Sequence, residues 1–287
     1  MTEIMCSMCK KTGHVRVLVS KPKGHEIISM WSCGHCRHAW RSEPWRISDP
    51  IKFFGYAQYT QPENVERISA AKKKLFQRFL QWANKANPQT SRLMVDFGCS
   101  YGTVLQIFKE HNWQVMGVEI SPTAQKTLDE RNLPWASSLE GSCLLKQSVD
   151  VVIMSDCICY LPDPLKTLHL VRSYMKSDGF LLLRQPTRGG LVHTLSKLGI
   201  KKALSDDLWL DHVHLFSRKS TMLVLNQAGF SNVKFIKEKG YKRSIKGELI
   251  HRILRAVDYV TLGTYDLTPS WIVIASATEN LKHMHQF

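Results

Sequence analysis

The middle of the chain alternates between two hydrophobic spacings. Short runs of consecutive apolar residues are typical of strands buried on both faces of a parallel sheet. They alternate with stretches in which apolar residues recur three and four positions apart, the spacing of one helix face. The regular alternation predicts an α/β fold with a doubly wound sheet. Strands are predicted at 93–97, 114–118, 133–139, 149–155, 180–185, 231–236 and 271–277. Helices are predicted at 63–86, 103–111 and 164–175, from Pro122 onward, and from Ser217 to Ala228.

A glycine-bounded turn follows the first strand of the series. The strand carries Asp96 near its end, and the turn runs from Gly98 to Gly102. Glycine allows a ligand to approach the backbone closely, because it has no Cβ atom. The second strand ends at Glu119, where a carboxylate can accept hydrogen bonds from ribose hydroxyls. Ser100 stands where a dinucleotide-binding protein has the glycine that makes room for a pyrophosphate. We therefore predict a nucleoside ligand without phosphates.

The segment from Asp96 to Gly102 resembles motif I, D-x-G-x-G-x-G, of class I S-adenosylmethionine-dependent methyltransferases, with Ser100 in place of the central glycine. Glu119 matches the acid that holds the cofactor ribose in that family. The resemblance implies a seven-stranded Rossmann-like sheet and S-adenosylmethionine as the cofactor. The cofactor contacts that it implies are Asp96, Gly98, Cys99, Gly102, Glu119, Ile120, Ser138, Asp156 and Tyr59.

A second motif follows the fourth strand. The segment from Asp156 to Pro164 is similar to W-D-V-L-E-H-L-P-D-P in a methyltransferase subgroup (type 11/23-like) that also carries an N-terminal zinc ribbon. Cys159 and Tyr160 replace the Glu and His of that subgroup, so the resemblance does not extend to a general base in this loop. The catalytic candidates are Asp156, which is expected to line the transfer site, and His212, a titratable group near the cleft. The alternative role for His212 is to fix its loop by hydrogen bonding.

Four cysteines near the N-terminus form two C-x-x-C pairs separated by 23 residues. Strands are predicted between the pairs at Val15–Ser20 and Glu26–Trp31, which gives two knuckles joined by a hairpin. Each C-x-x-C turn directs both sulfur atoms toward one point, and four thiolates at tetrahedral distances form a Zn²⁺ site without an open position. A structural zinc ribbon is therefore predicted, and free surface thiols are the alternative. The predicted zinc ligands are Cys6, Cys9, Cys33 and Cys36.

The predicted organisation has three parts, which are a ribbon at 1–50, a connecting helical segment at 51–90 and the cofactor-binding domain at 91–287. Insertions in that domain are expected at about 187–210 and about 240–265, where the strand pattern is interrupted. No apolar run reaches the length of a membrane span, and the first residues lack a signal-peptide pattern. We expect a cytoplasmic protein, in which cysteines bind metal or remain free thiols rather than forming disulfides.

The formal net charge of +15 is concentrated in the flanking parts of the chain. Residues 93–190 carry nine Lys and Arg against ten Asp and Glu, whereas residues 1–92 carry sixteen against six and residues 191–287 carry fourteen against eight. A basic balance favours anionic partners, although a solvated basic surface explains it equally well. The run of three lysines from Lys72 to Lys74 is interpreted as such a solvated face of the helix at 63–86.

Relatives that share the ribbon are associated with sugars, cell-surface glycans and secondary metabolites. The resemblance therefore implies a methyltransferase with a small-molecule or glycan acceptor, which the basic flanks predict to be anionic. The alternative is an RNA methyltransferase, with nucleic acid held by the ribbon and the basic flanks. A third hypothesis is a degenerate fold used as a binding scaffold, because Ser100, Cys159 and Tyr160 depart from the family pattern. The sequence does not predict the acceptor atom or the oligomeric state.

Overall fold

The computed structural model describes residues 4–23, 26–41, 62–86, 92–186, 212–236, 256 and 270–276. The strands are β1 (Val15–Lys23), β2 (Glu26–Cys33), β3 (Ala39–Arg41), β4 (Leu93–Phe97), β5 (Gln114–Val118), β6 (Trp135–Ala136), β7 (Val149–Ser155), β8 (Met175–Pro186), β9 (His214–Leu215), β10 (Ser231–Ile236) and β11 (Ser270–Ser276). The α-helices are α1 (Pro62–Ala86), α2 (Thr103–Lys109), α3 (Pro122–Glu130), α4 (Pro164–Tyr174) and α5 (Arg218–Gln227). A 3₁₀ helix spans Ile158–Tyr160.

Seven of the described strands form one sheet in the order β10-β11-β8-β7-β4-β5-β6. The strands from β8 to β6 are parallel, whereas β11 is antiparallel to both β8 and β10. The chain runs from β4 outward to β6 and then returns to β7 on the other side of β4. This reversal makes the boundary between β4 and β7 the topological switch point, where open α/β sheets hold their ligands at the carboxyl ends of the strands.

Successive side chains of the central strands point to opposite faces of the sheet, and both faces are covered. Met94 packs with residues of α1 and α2, whereas the next residue, Val95, packs with residues of α4 and α5. In α1 the contact is made by large apolar side chains such as Phe79 and Leu80. Burial on both faces explains why these strands are continuous apolar runs and were predictable from the sequence.

The predicted boundaries agree closely with the structure. β4, β5, β7 and β10 have the predicted limits, and β11 is displaced by one residue. The third predicted strand, at 133–139, is reduced to the two residues of β6. β8 begins at Met175, so the turn predicted at 178–179 lies within it. The predicted insertions at about 187–210 and 240–265 fall on parts of the chain outside the described residues, apart from residue 256.

The cysteine-bearing segment forms its own antiparallel sheet, in the order β1-β2-β3-β9. β1 and β2 are the predicted hairpin, but β1 continues to Lys23 and β2 continues to Cys33. The fourth strand was not predicted, because β9 comes from residues 214–215, far along the chain. We call residues 4–41 the ribbon. Its sheet is therefore completed by a strand from the cofactor-binding part of the protein.

The ribbon and the main sheet also share apolar packing. Cys33, Cys36 and Trp40 belong to the same buried cluster as Phe216 and the residues of α4 and α5. Ser217 is the N-cap of α5, where its hydroxyl accepts a hydrogen bond from the Ser220 N–H (3.1 Å) in a capping box. Among the described residues, no helix has the length and apolar character needed to cross a lipid bilayer.

Candidate active site

A cavity of about 840 Å³ opens at the carboxyl edge of the sheet. Its lining comes from the ends of β4, β5 and β7 and the loops that follow them, with contributions from α1 and from His212. The cavity therefore includes the topological switch point. Its volume lies within the range of about 300–1,000 Å³ that is usual for small-molecule sites.

Gly98 forms the floor of the turn after β4. Its N–H donates to the Val118 carbonyl (2.8 Å), and its φ is +77°, a left-handed conformation. A Cβ atom at this position would lie 2.7 Å from the Cβ of Cys157, so glycine is required by conformation and by space. The loops after β4 and β7 approach each other closely because Gly98 has no side chain.

Gly102 ends the turn and packs against the interior of the fold. It is left-handed (φ +76°) and precedes α2, but it does not line the cavity. A Cβ atom here would lie 2.5–2.6 Å from Leu133 and Leu128, which are buried side chains. Gly102 therefore allows the turn to pack against the interior, and the predicted cofactor contact is not seen in the geometry.

Ser100, in place of the central glycine of motif I, still adopts a left-handed conformation with φ of 50°. Its N–H donates to Glu119 Oε2 (2.7 Å), and Cys99 on its N-terminal side lines the cavity. Serine therefore adopts at this position a left-handed conformation of the kind that glycine adopts readily. This departure from the family pattern does not by itself remove the binding site.

Glu119 is held by three backbone N–H groups. Its Oε2 accepts from Ser100, and its Oε1 accepts from Ile120 and Ser121, each at 2.8 Å. The residue is buried but lines the cavity, as predicted for a carboxylate that receives ribose hydroxyls.

Asp96 is the most perturbed acid of the cavity. It is 2 % exposed, and its Oδ1 has no hydrogen-bond partner among the described residues. Burial, together with the nearby charge of Glu119, raises the pKa of the Asp96 carboxyl to about 8, against the opposing effect of Lys72. A cationic group bound at this end of the cavity would satisfy the unpartnered oxygen and favour its ionised form.

Asp156 is shifted in the opposite direction. Burial alone would raise the pKa of this carboxyl, but Arg184 and Lys72 outweigh burial and lower it. Lys72 Nζ lies 2.7 Å from Oδ2, and Arg184 contacts both carboxylate oxygens. Asp156 lines the cavity as predicted, yet its carboxylate is engaged by two cations and is a weak base.

Lys72 corrects the interpretation of the lysine run. The sequence placed Lys72 on a solvated helix face with Lys73 and Lys74, but its side chain is only 22 % exposed, lines the cavity and pairs with Asp156. Lys73 and Lys74 are exposed, as expected. Consecutive helix residues differ in direction by about 100°, so one lysine of the three reaches the site while the others remain in solvent.

Tyr160 and His212 form a pair at the cavity wall. Their rings stack with centroids 5.0 Å apart and planes inclined by 20°, and the Tyr160 hydroxyl lies 3.4 Å from His212 Nε2. His212 is 8 % exposed and lines the cavity, as does Tyr160. The sequence predicted a role for His212, whereas Tyr160 was noted only as the replacement for a histidine of the related subgroup. The pairing of the two residues could not be predicted, because they are 52 positions apart.

The remaining predicted contacts are distributed over the other end of the cavity. Ile120 lines it and is 44 % exposed, which is unusual for a large apolar side chain and fits an aromatic ring bound against it. Ser138 also lines the cavity, and its hydroxyl accepts from the Gly141 N–H (3.0 Å). Tyr59 lies outside the described residues.

The four cysteines predicted as zinc ligands converge in the ribbon. Their sulfur atoms all lie within 4.8 Å of one another, and the N–H groups of Met8 and Cys9 donate to Cys6 Sγ (3.4 and 3.5 Å). A hydrogen bond from Cys36 lowers the pKa of the Cys6 thiol to about 5, so one thiolate is already favoured. The donor set fits a tetrahedral metal site with four soft ligands.

The residues present also fit S-adenosylmethionine. Gly98 lines the cavity, Asp96 offers an unpartnered oxygen for an ammonium group, and Glu119 offers a carboxylate for hydroxyls. Within the turn, the Ser100 N–H is already bonded to Glu119. The fold and this site define a class I S-adenosylmethionine-dependent methyltransferase.

Comparison with family models leads to the same class. The model described as "Methyltransferase domain" matches residues 62–234, more than half of the chain, and the chain belongs to this family. The match begins at α1 and ends within β10, so it includes every described residue of the cavity. A comparison with curated proteins found no match.

Solved structures resemble the fold at low sequence identity. One is a SAM-dependent methyltransferase from Archaeoglobus fulgidus, with 19% identity and a TM-score of 0.50, covering 78% of this chain and 99% of that one. Another, a possible histamine N-methyltransferase from Thermotoga maritima, has 16% identity and a TM-score of 0.52, covering 79% and 99%. A phosphoethanolamine N-methyltransferase from Haemonchus contortus has 15% identity and a TM-score of 0.54, covering 91% and 71%. These likenesses concern the fold.

Proposed function

We propose that this methyltransferase acts on a small anionic acceptor, which it holds between Lys72 and the Tyr160–His212 pair. The observation that carries the proposal is the charge of that part of the cavity. Among the described residues, two cations, Lys72 and Arg184, contact the carboxylate of Asp156 at this part of the cavity.

The shape of the cavity supports a small acceptor. Apart from its few charged groups, the wall includes apolar side chains such as Phe76, Leu161 and Pro186. Concave apolar walls with a small number of convergent polar groups are typical of sites that enclose small molecules. A sugar acid, a phosphate ester or a carboxylic acid has the required combination of size and charge.

The sulfonium of S-adenosylmethionine supplies an electrophilic methyl group when the cofactor is bound. The protein then contributes mainly proximity and orientation. Asp96 and Glu119 hold the cofactor, and Lys72 holds the anionic group of the acceptor. His212 Nε2 accepts the proton that the acceptor hydroxyl or amine loses, and the stacked Tyr160 ring fixes the orientation of the imidazole. Asp156 holds Lys72 in place and does not act as the base.

We further propose that Cys6, Cys9, Cys33 and Cys36 bind one structural Zn²⁺. The four sulfur atoms lie close enough together for one tetrahedral ion, and no fifth ligand position is needed. Metal analysis of the purified protein tests this proposal, with about one equivalent of zinc expected. The Cys33→Ser variant should bind zinc more weakly, whereas replacement of the exposed Cys143 by serine should leave the zinc content unchanged.

Methyl transfer from radiolabelled S-adenosylmethionine tests the acceptor class. The protein is incubated with a pool of metabolites below 1 kDa in one reaction and with bulk RNA in another. Label that appears in small molecules retained on an anion exchanger, and that is lost with His212→Gln, supports the proposal. Label in the RNA, or a gel shift that weakens steeply with salt, would instead support the RNA methyltransferase hypothesis, which the basic flanks favour.

The role of Lys72 is tested with Lys72→Met and the matched control Lys73→Met. Once an acceptor is found, Lys72→Met should raise the acceptor KM by about tenfold or more, the equivalent of about 1.4 kcal/mol. Affinity for S-adenosylhomocysteine, measured by calorimetry, should remain within about threefold. A loss of S-adenosylhomocysteine affinity with an unchanged acceptor KM would assign Lys72 to the cofactor and would contradict the proposal.

A further inference from the structure

The transfer-site wall and the ribbon are joined by a short segment, residues 212–215. On one side, β9 pairs with β3 of the ribbon, with Leu215 opposite Ala39 and His214 opposite Trp40. The Arg41 N–H extends this pairing by donating to the Val213 carbonyl (3.0 Å). The backbone of the segment is therefore fixed by the ribbon sheet.

The other side of the same segment is bonded to the loop after β7. The Val213 N–H donates to the Cys159 carbonyl (2.9 Å), and Cys159 belongs to the 3₁₀ helix that also contains Tyr160. His212, which stacks on Tyr160, directly precedes Val213 in the chain. Val213 thus links the ribbon, through its carbonyl, to both members of the Tyr160–His212 pair.

Buried side chains reinforce this connection. His38 Nε2 and His214 Nδ1 lie 3.0 Å apart, and both residues are at most 6 % exposed. Burial lowers the pKa of His214 to about 4, against the opposing effects of the Pro162 backbone and Asp163, so its ring is neutral at physiological pH. A neutral imidazole can form one directed hydrogen bond without burying a charge.

A further hydrogen bond reaches the cysteine knuckle itself. The Ser217 hydroxyl donates to the Cys36 carbonyl (2.8 Å). Within the knuckle, the Cys33 N–H donates to the His38 carbonyl (2.9 Å). The cysteine cluster, His38 and the segment at 212–217 therefore form one buried hydrogen-bonded unit. Such units hold their members in a single arrangement when every partner is in place.

The cofactor end of the cavity is held by a different set of bonds. The N–H groups of Gly98 and Cys99 donate to Val118, and that of Ser100 donates to Glu119. These bonds join β4 to β5 within the main sheet. A disturbance of the ribbon should consequently reach the Tyr160–His212 pair before it reaches the cofactor turn.

We propose that the ribbon is the positioning element of the transfer site. Metal bound by the four cysteines fixes the knuckle and β3, which hold Val213 and His214 and thereby orient His212 against Tyr160. His38 is a positioning residue, since it acts through His214 and lies outside the cavity lining. The inference rests on the proposed function only in assigning Tyr160 and His212 to the acceptor side.

The test is fluorine NMR of the full chain with 3-fluorotyrosine at position 160. Spectra are compared for the zinc-loaded protein, the same protein after chelation, and the zinc-loaded variants His38→Leu and His38→Gln. Chelation and His38→Leu should shift or broaden the resonance of residue 160. His38→Gln, which keeps a nitrogen near the position of Nε2, should restore most of the original signal. Ser20→Ala, on the exposed hairpin, is the matched control and should change nothing.

Calorimetry with S-adenosylhomocysteine accompanies each spectrum. A dissociation constant within about threefold of the original, together with the changed fluorine signal, supports the inference. An unchanged signal after His38→Leu overturns it, as does a loss of cofactor affinity of about tenfold or more, since the ribbon would then support the whole fold. If chelation unfolds the protein, the two zinc-loaded variants decide. If the intact protein does not bind S-adenosylhomocysteine, the proposed function fails, while the fluorine comparison still tests the ribbon.

Discussion

Cofactor binding should release a proton from Asp96. Burial and the Glu119 charge raise the pKa of this carboxyl to about 8 in the free protein. At pH 7 the carboxyl is then about 90% protonated, because one pH unit below the pKa corresponds to a ratio of ten. An ammonium group placed against the unpartnered Oδ1 favours the ionised form and lowers the pKa. If the bound-state pKa falls below about 6, binding at pH 7 releases about 0.9 proton.

The release should depend on pH in a defined way. The protonated fraction of Asp96 falls to about 0.5 at pH 8 and to about 0.1 at pH 9, so the proton release should decline accordingly. Calorimetric titrations in two buffers with different ionisation enthalpies, such as phosphate and Tris, measure the number of protons released. The ligand is S-adenosylhomocysteine, whose own amino group also titrates.

The Asp96→Asn variant supplies the baseline. It keeps the shape of the side chain but has no titrating proton, so any exchange that it shows belongs to the ligand or to other groups. The difference between the two proteins should be close to the predicted release at each pH. Equal proton exchange in both proteins at pH 7 would refute the assignment of a protonated Asp96 to the cofactor amino group.

Three further perturbations should have measurable effects. The folded-state pKa of Asp96 lies above its unfolded value of 3.8, so between these values the folded protein retains a proton that the unfolded chain has lost. The stability of the free protein should therefore fall as pH rises from about 4 to about 8. Asp96→Asn should remove this loss of stability, which amounts to up to about 4 kcal/mol at pH 7 and is measured by urea denaturation. An equal pH dependence of the unfolding free energy in both proteins would contradict this prediction. Glu119→Gln places an amide N–H₂ group among three backbone donors, so it should lower stability by about 1–3 kcal/mol and weaken S-adenosylhomocysteine binding. An unchanged dissociation constant for S-adenosylhomocysteine would exclude Glu119 from cofactor binding. Gly98→Ala should destabilise the fold by about 1–3 kcal/mol more than the control Gly13→Ala, because both are left-handed but only Gly98 faces Cys157; equal melting temperatures would show that the contact is easily relieved.

Local sequence patterns predicted the parts of the fold that are local in origin. β4 and β7 are buried on both faces, so each is a continuous apolar run with recognisable ends. Asp96, Glu119 and Asp156 lie at or just beyond the ends of such strands, and the topology brings those ends to one edge of the sheet. The position of these three carboxylates at one edge of the sheet was therefore predictable from the sequence.

The acceptor half depends on contacts that no local pattern contains. β9 has two residues, too few for any periodicity, and it exists because β3 offers it hydrogen bonds. His38 and His214 are 176 positions apart, and neither is unusual in its local sequence. The lysine run likewise showed that a helix face was basic, but only the packing of α1 on the sheet determines that Lys72 is the lysine that reaches Asp156.

The two aspartates of the cavity divide its chemistry because their surroundings differ. Among the described residues, Asp96 has no cation in direct contact, and burial raises its pKa to about 8, so it is suited to receive a cationic group when a ligand arrives. Asp156 is already paired with two cations and remains ionised, so it has little capacity to accept a proton. Environments that push the pKa values of neighbouring carboxyls apart usually mark different roles. Since we propose that Asp96 receives the cofactor and Asp156 is paired with Lys72, His212 is the residue of the described lining that we propose as the proton acceptor.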